Sequence, residues 1–114
     1  MNKLIKDTLK SLNVPVSFQV YKGSKTPYIT FFSYNDKGEL YADDTEVVSG
    51  YYFQLDIFSK SNYKELVKNV EKLMKNAGFI KKASGPEGYE KETDLYHKPL
   101  RFFFYEENKN EEEI

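Results

Sequence analysis

Tyr51-Tyr52-Phe53-Gln54-Leu55-Asp56-Ile57-Phe58-Ser59-Lys60-Ser61-Asn62-Tyr63 decides the fold, because the hydrophobic period changes partway along it. Tyr51, Phe53, Leu55 and Ile57 alternate with Tyr52, Gln54, Asp56 and Phe58. Successive side chains of a strand point to opposite sides, so this is a strand with an apolar core face and a mixed second face. It is read from Val47 to Phe58, and Gly50 within it predicts a bulge or bend. Beyond Ser61 the spacing becomes helical. Tyr63, Leu66, Val67, Val70, Leu73, Met74 and Ala77 fall on one stripe. Asn62 and Glu65 have the spacing of a capping box, with Asn in place of Ser or Thr, and Gly78 stands where a helix-ending residue belongs.

Upstream, Leu4, Ile5, Thr8, Leu9 and Leu12 share one helical face, and Pro15 is expected to stop that helix. Val16, Phe18 and Val20 alternate with Ser17, Gln19 and Tyr21 as a strand, and Lys22-Gly23-Ser24-Lys25 reads as a turn. Pro27 sits at the lip of the next strand, Tyr28 to Tyr34, where a missing N–H is tolerated. Asn35-Asp36-Lys37-Gly38 reads as a turn, and the polar segment Glu39 to Ser49 as a hairpin arm or a loop. Downstream, Phe79 and Ile80 begin a strand that Ser84-Gly85-Pro86-Glu87-Gly88 ends. Leu100 to Tyr105 is apolar on both faces except at Arg101, which suits a central or covered strand.

The expected fold is therefore α+β: a mainly antiparallel sheet of about five strands with two helices packed on one face, in the order α-β-β-β-α-β-β. Residues 1–105 are expected to form a single domain, and the acidic segment 106–114 a disordered tail. A chain of 114 residues suits one core, and 17 basic against 18 acidic residues argue against a general nucleic-acid binder. The absence of cysteine excludes disulfides and thiolate chemistry. The N-terminal residues lack the pattern of a signal peptide, and no apolar run approaches the roughly 20 residues of a membrane helix. A soluble, intracellular protein with no membrane partner is expected.

Little here is arranged for bond-making chemistry. His97 is the only histidine, and a general base would need an orienting partner and a nucleophile, neither of which the sequence identifies. It is read as a strand-edge or loop residue. Asp56, amid apolar neighbours, is read as a paired or helix-capping carboxylate. Asp36, Glu39, Asp43, Asp44 and Glu46 offer oxygens to a hard cation, but their spacing does not match a calcium loop, and they read as a solvated segment. Gly85-Pro86-Glu87-Gly88 lacks the residues of a phosphate cradle. Lys64, Lys68, Lys72, Lys75, Lys81 and Lys82 form a basic outer surface that is solvated by default, with Glu71 and Lys75 spaced for an i,i+4 pair. No catalytic residue, metal site or cofactor is expected.

The positive signal is aromatic: ten Tyr and nine Phe in a small chain. Strand alternation hides roughly half of the strand aromatics in a core, leaving the rest on the second sheet face, at an edge or under a partner. Homo-oligomer packing would cover both an apolar patch and an open edge.

Thr26-Pro27-Tyr28-Ile29 opening a strand, a variable polar segment, and Phe53-Gln54-Leu55-Asp56-Ile57-Phe58-Ser59-Lys60 running into a helix resemble the tail-completion, or head–tail joining, proteins of long-tailed bacteriophages and prophages. The plan extends from about Leu4 to Tyr105; Phe58 replaces the Trp usual in that family, and Gly85 to His97 forms a long insertion. The resemblance implies a virion-assembly protein, built in the host bacterial cytoplasm, that self-associates into a ring (often hexameric) and docks on tail-tube or connector proteins. It implies no catalytic residues and no sequence-specific nucleic acid. It makes the segment Asn35 to Ser49 the contact arm, with Tyr41, Asp43 and Asp44 as contacts. The residues alone leave a second reading, a small cytoplasmic ligand- or protein-binding module that uses an aromatic sheet face, and a third, a hydrolase or nuclease that needs His97 with acidic partners.

Overall fold

The computed structural model describes residues 2–42 and 45–107, with the backbone alone for 35–42, 45–49, 106 and 107. The chain begins with α1 (Asn2–Thr8), then a 3-10 turn over Lys10–Leu12, then β1 (Val16–Phe18). The long strands β2 (Tyr28–Ala42) and β3 (Thr45–Ser59) follow, then α2 (Lys64–Asn76), β4 (Ile80–Ser84), β5 (Gly88–Glu90) and β6 (Leu95–Glu107). One sheet runs in the order β1-β2-β3-β6-β4, with β5 also paired to β6. The expected α+β class holds, and β5 brings the strands to six. Among the described residues only the β1–β2 pair is parallel.

The two helices lie on one face of the sheet. Ile5 and Leu9 from the N-terminal segment and Val70 and Met74 from α2 are fully buried against Ile29, Phe31, Phe53, Leu55, Ile57, Leu100 and Phe102. These sheet residues occupy alternate positions of β2, β3 and β6, as period two requires. Complete burial of side chains of this size stabilises by about 1.5–3 kcal/mol each.

The first helix is shorter than Pro15 alone would make it. It ends at Thr8, the chain tightens into the 3-10 turn, and Asn13 adopts a left-handed conformation with its N–H bonded to the Lys10 carbonyl at 3.2 Å. β1 likewise stops at Phe18 instead of continuing to Tyr21. Gln19 has φ 64°, and Val20 N–H closes a tight turn onto the Phe18 carbonyl at 2.7 Å, which swings the chain off the sheet.

α2 follows its sequence signals in its stripe and at its C-terminal end. The expected capping box does not form: the cap position is Tyr63, with no side-chain cap hydrogen bond, and Asn62 Oδ1 accepts the Lys64 N–H at 3.0 Å, a turn that leads the chain into the helix. At the other end Gly78 N–H bonds the Lys75 carbonyl and Phe79 N–H the Met74 carbonyl, both at 3.0 Å, with Gly78 at φ +99°. This is a Schellman closure, and the left-handed residue is where glycine carries no Cβ penalty. Glu71 pairs with Lys81 on β4 and not with Lys75. The sheet strand beside α2 offers a fixed cation, whereas an i,i+4 pair orders two long side chains in solvent for little gain.

The largest departure is at Asn35-Asp36-Lys37-Gly38, which is not a turn. β2 continues through it and remains paired with β3 to Ala42 opposite Thr45. Between Tyr34↔Tyr52 and Lys37↔Gly50 the register shifts by one extra residue on β2, and again before Leu40↔Val48. The irregularity expected from Gly50 thus falls opposite it. Asn, Asp and Gly suit a turn in isolation, but a bulge accommodates them while the ladder is kept. The result is a long antiparallel arm, of which β6 pairs with β3 as far as Glu107↔Val48. The molecule measures 53 × 25 × 24 Å, its long axis far exceeding the other two. β6 thereby takes in the first two residues of the acidic tail, and residues 108–114 lie outside the described ones.

Candidate functional site

The sheet face away from the helices is built from the residues between the core positions. Pairing registers place them in rows across β2, β3 and β6: Tyr28, Phe58 and His97; Thr30, Asp56 and Pro99; Phe32, Gln54 and Arg101; Tyr34, Tyr52 and Phe103. Tyr105 continues β6 beyond the last row and is exposed. Among the strand aromatics, Phe31, Tyr51, Phe102 and Phe104 belong to the core side, whereas Phe32, Tyr34, Tyr52, Phe103 and Tyr105 belong to this one. The division expected from alternation is met.

The rings pack on one another across the strands. Tyr28 stacks on Phe58 with centroids 4.9 Å apart, and Phe58 on His97 at 4.5 Å with the planes 5° from parallel. At the other end Tyr34 meets Tyr52 at 5.6 Å, and Tyr52 meets Phe103 at 4.8 Å. Such cross-strand pairs each contribute roughly 0.2–1 kcal/mol to a sheet. Two cations cap the row: Arg101 lies over Tyr34 at 5.1 Å and Lys82 over Phe103 at 5.7 Å.

Between the aromatic ends runs a polar chain. Arg101 Nε donates to Gln54 Oε1 at 3.0 Å, and Gln54 Nε2 donates to Asp56 Oδ1 at 2.8 Å. The same Asp56 oxygen receives the His97 Nε2 hydrogen at 2.7 Å. Asp56 is buried, 7% exposed, and two hydrogen bonds replace the water that burial removes. It is a paired carboxylate, as its sequence setting suggests. His97, by contrast, is neither at a strand edge nor in a loop. It sits in β6, between β3 on one side and β5 on the other. Asp56 is the orienting partner that the sequence did not identify, because the two residues are 41 positions apart and meet only through the β3–β6 register. His97 makes no hydrogen bond to a hydroxyl or amine side chain among the described residues, so the pair reads as a packed, hydrogen-bonded element of the face.

Of the contact residues expected from the sequence, one lies on the described β2–β3 arm. Tyr41 stands on β2 opposite Glu46, one position before the last described pair of the arm. Asp43 and Asp44 lie outside the described residues. Of the acidic set considered for a cation, Asp36, Glu39 and Glu46 are described by their backbone alone.

Near α2, Tyr63 packs beneath β6, and burial with the nearby Glu87 carboxylate pushes its hydroxyl up to about 12. Tyr28 is raised too, by burial and then by the Glu90 charge. Two clefts flank α2. One of about 570 Å³ is lined by Phe79, Ile80 and Phe102 with Lys75, Glu71 and Lys81 at its rim, and another of about 400 Å³ lies by Asn62, Tyr63 and Tyr96. No helix among the described residues is long and apolar enough to cross a membrane.

Neither protein-family models nor curated proteins give a match to this sequence. Solved structures do. One chain, from a structure titled "Virion of native gene transfer agent (GTA) particle", superimposes with a TM-score of 0.63 over 95% of both chains, at 12% sequence identity. At that identity the likeness is one of fold.

Proposed function

We propose that this chain is a structural virion-assembly protein, a tail-completion or head–tail joining subunit of a long-tailed phage or prophage. It forms a ring and docks on tail or connector proteins. The observation that carries this reading is the fold shared, over nearly the full length of both chains, with a chain of a gene transfer agent virion. The Pro27-Tyr28 strand opening and the Asp56-Ile57-Phe58-Ser59-Lys60 junction point the same way by resemblance to the tail-completion family.

Two surfaces support this reading. The open face offers a row of packed aromatics with Arg101 and Lys82 at its end, a composition that suits protein interfaces. The β2–β3 arm extends past the last core residues of those strands, with Tyr41, Asp43 and Asp44 as its contacts to neighbouring subunits. The domain is a single one that reaches the end of β6 at Glu107, two residues beyond the expected boundary at 105, and the acidic residues after it are proposed as assembly contacts. Its work is binding and not catalysis, and it becomes a virion component after assembly in the bacterial cytoplasm.

The test is genetic and microscopic. Deleting the gene from its phage or prophage should leave filled heads and tails unjoined, or tails unfinished, in electron micrographs, and the protein should be detected in purified wild-type particles. Normal particles from the deletion, with no copy of the protein in the wild type, would sink the assignment.

A further inference from the structure

Charge is distributed along this molecule very unevenly. Of the 18 acidic and 17 basic residues, ten acidic and two basic lie in residues 35–49 and 106–114, leaving eight acidic and fifteen basic for the remainder. The near-neutral total therefore joins a strongly acidic arm-and-tail to a strongly basic body. On the body, Lys64, Lys68, Lys72 and Lys75 are all exposed along α2, on the side away from buried Val70 and Met74. That stripe leads to the 570 Å³ cleft between α2 and β4, whose floor is apolar (Phe79, Ile80, Phe102) and whose rim carries Lys75. Glu71 at the same rim is already paired with Lys81.

The cleft suits a segment that joins acidic side chains to an apolar one. Glu111-Glu112-Glu113-Ile114 has that composition, and Ile114 is the sole apolar residue after Tyr105. The chain's own tail is poorly suited to the site. Glu111 to Glu113 carry the same sign as Glu106 and Glu107, so folding that segment back on its own chain opposes like charges. The basic body of another copy has the opposite sign. We propose that the α2 lysine stripe and the α2–β4 cleft receive the Glu111–Ile114 segment of a second copy, with Ile114 on the Phe79–Phe102 floor and the glutamates on Lys68, Lys72 and Lys75. A contact between unlike surfaces is head-to-tail, the kind that closes into rings. The inference rests on the ring reading above and names the surfaces that build it.

The test uses the full chain. Sedimentation of wild type should show self-association at low ionic strength. The association should weaken at least about tenfold as salt rises and the screening length falls from about 30 Å at 0.01 M to about 3 Å at 1 M. Lys68→Glu/Lys72→Glu/Lys75→Glu and Glu111→Lys/Glu112→Lys/Glu113→Lys should each abolish it alone, while an equimolar mixture of the two variants should co-assemble with the two alternating, which also shows both are folded. Ile114→Ser should weaken association at every salt concentration. A wild type that stays monomeric at low salt, or associates with no response to salt and charge reversal, overturns the inference. So does a mixture that fails to pair. A salt-indifferent ring that still joins heads to tails would leave the assembly role standing without this contact. The deletion phenotype tests that role separately.

Discussion

His97 lies flat on Phe58, ring centroids 4.5 Å apart and planes 5° from parallel, while its Nε2 meets Asp56 Oδ1 at 2.7 Å. One side chain thus joins the aromatic and the polar parts of the open sheet face. His97→Ala removes the stack and one of the two hydrogen bonds to a buried carboxylate, and should destabilise by about 1–3 kcal/mol in urea unfolding. His97→Phe keeps the stack and should cost about 1 kcal/mol. If the chain joins heads to tails as proposed, that joining should survive both substitutions at permissive temperature. Loss of function in a folded His97→Phe variant would instead point to chemistry at this residue.

Arg101 occupies an exposed position on the same face, holding Gln54 and covering Tyr34. Arg101→Glu should change stability by less than about 1 kcal/mol, as exposed charges do. If this face docks the tail or connector protein, the reversal should slow association and weaken it by about tenfold or more in a binding titration. Unaltered docking would move the interface elsewhere.

Gly78 closes α2 at φ +99°, and a Cβ there would meet Phe104 only at an ordinary 3.5 Å. The cost of Gly78→Ala is therefore backbone strain and not a clash. Thermal unfolding should show a loss of about 1 kcal/mol or more.

Tyr63 holds its proton up to about 12 against an ordinary value of 10, through burial first and Glu87 second. A raised folded value favours the neutral phenol, so its contribution to stability is complete below pH 10 and is lost as pH rises through about 12. Phenolate absorbance should show a late-titrating tyrosine in wild type that Tyr63→Phe removes. A variant with the same titration curve as wild type would refute the assignment.

Phe53 stands at the centre of the core, 1% exposed, with Phe79 edge-on at 6.1 Å. Phe53→Ala should destabilise by about 3–5 kcal/mol, a large part of the stability of a domain this size. Denaturant unfolding measures it directly.

How much of this was legible varied with the range of the interactions concerned. The stripe of α2 and its Gly78 closure were readable because they act within a few residues, whereas the capping box read at Asn62 and Glu65 did not form. The two faces of β3 were equally readable, because period two needs no knowledge of neighbours. The turn expected at Asn35 to Gly38 failed because local propensity competes with a ladder, and here the pairing with β3 prevailed through a bulge. β5 was missed: its three residues, Gly88–Glu90, are exposed and carry no pattern of their own, and they become a strand only by lying beside β6.

By itself, the sequence determined which side chains share a face, where α2 ends, and that charge is concentrated in the arm and tail. Tertiary structure alone decided which strands are neighbours. Inserting β6 between β3 and β4 set His97 on Phe58 and against Asp56, and it brought Arg101 to Gln54. The physical reason is that alternation is a property of one strand, while register is a property of two. Register is settled by burying Phe53, Leu55, Leu100 and Phe102 together under the helices, and the open face follows from that core.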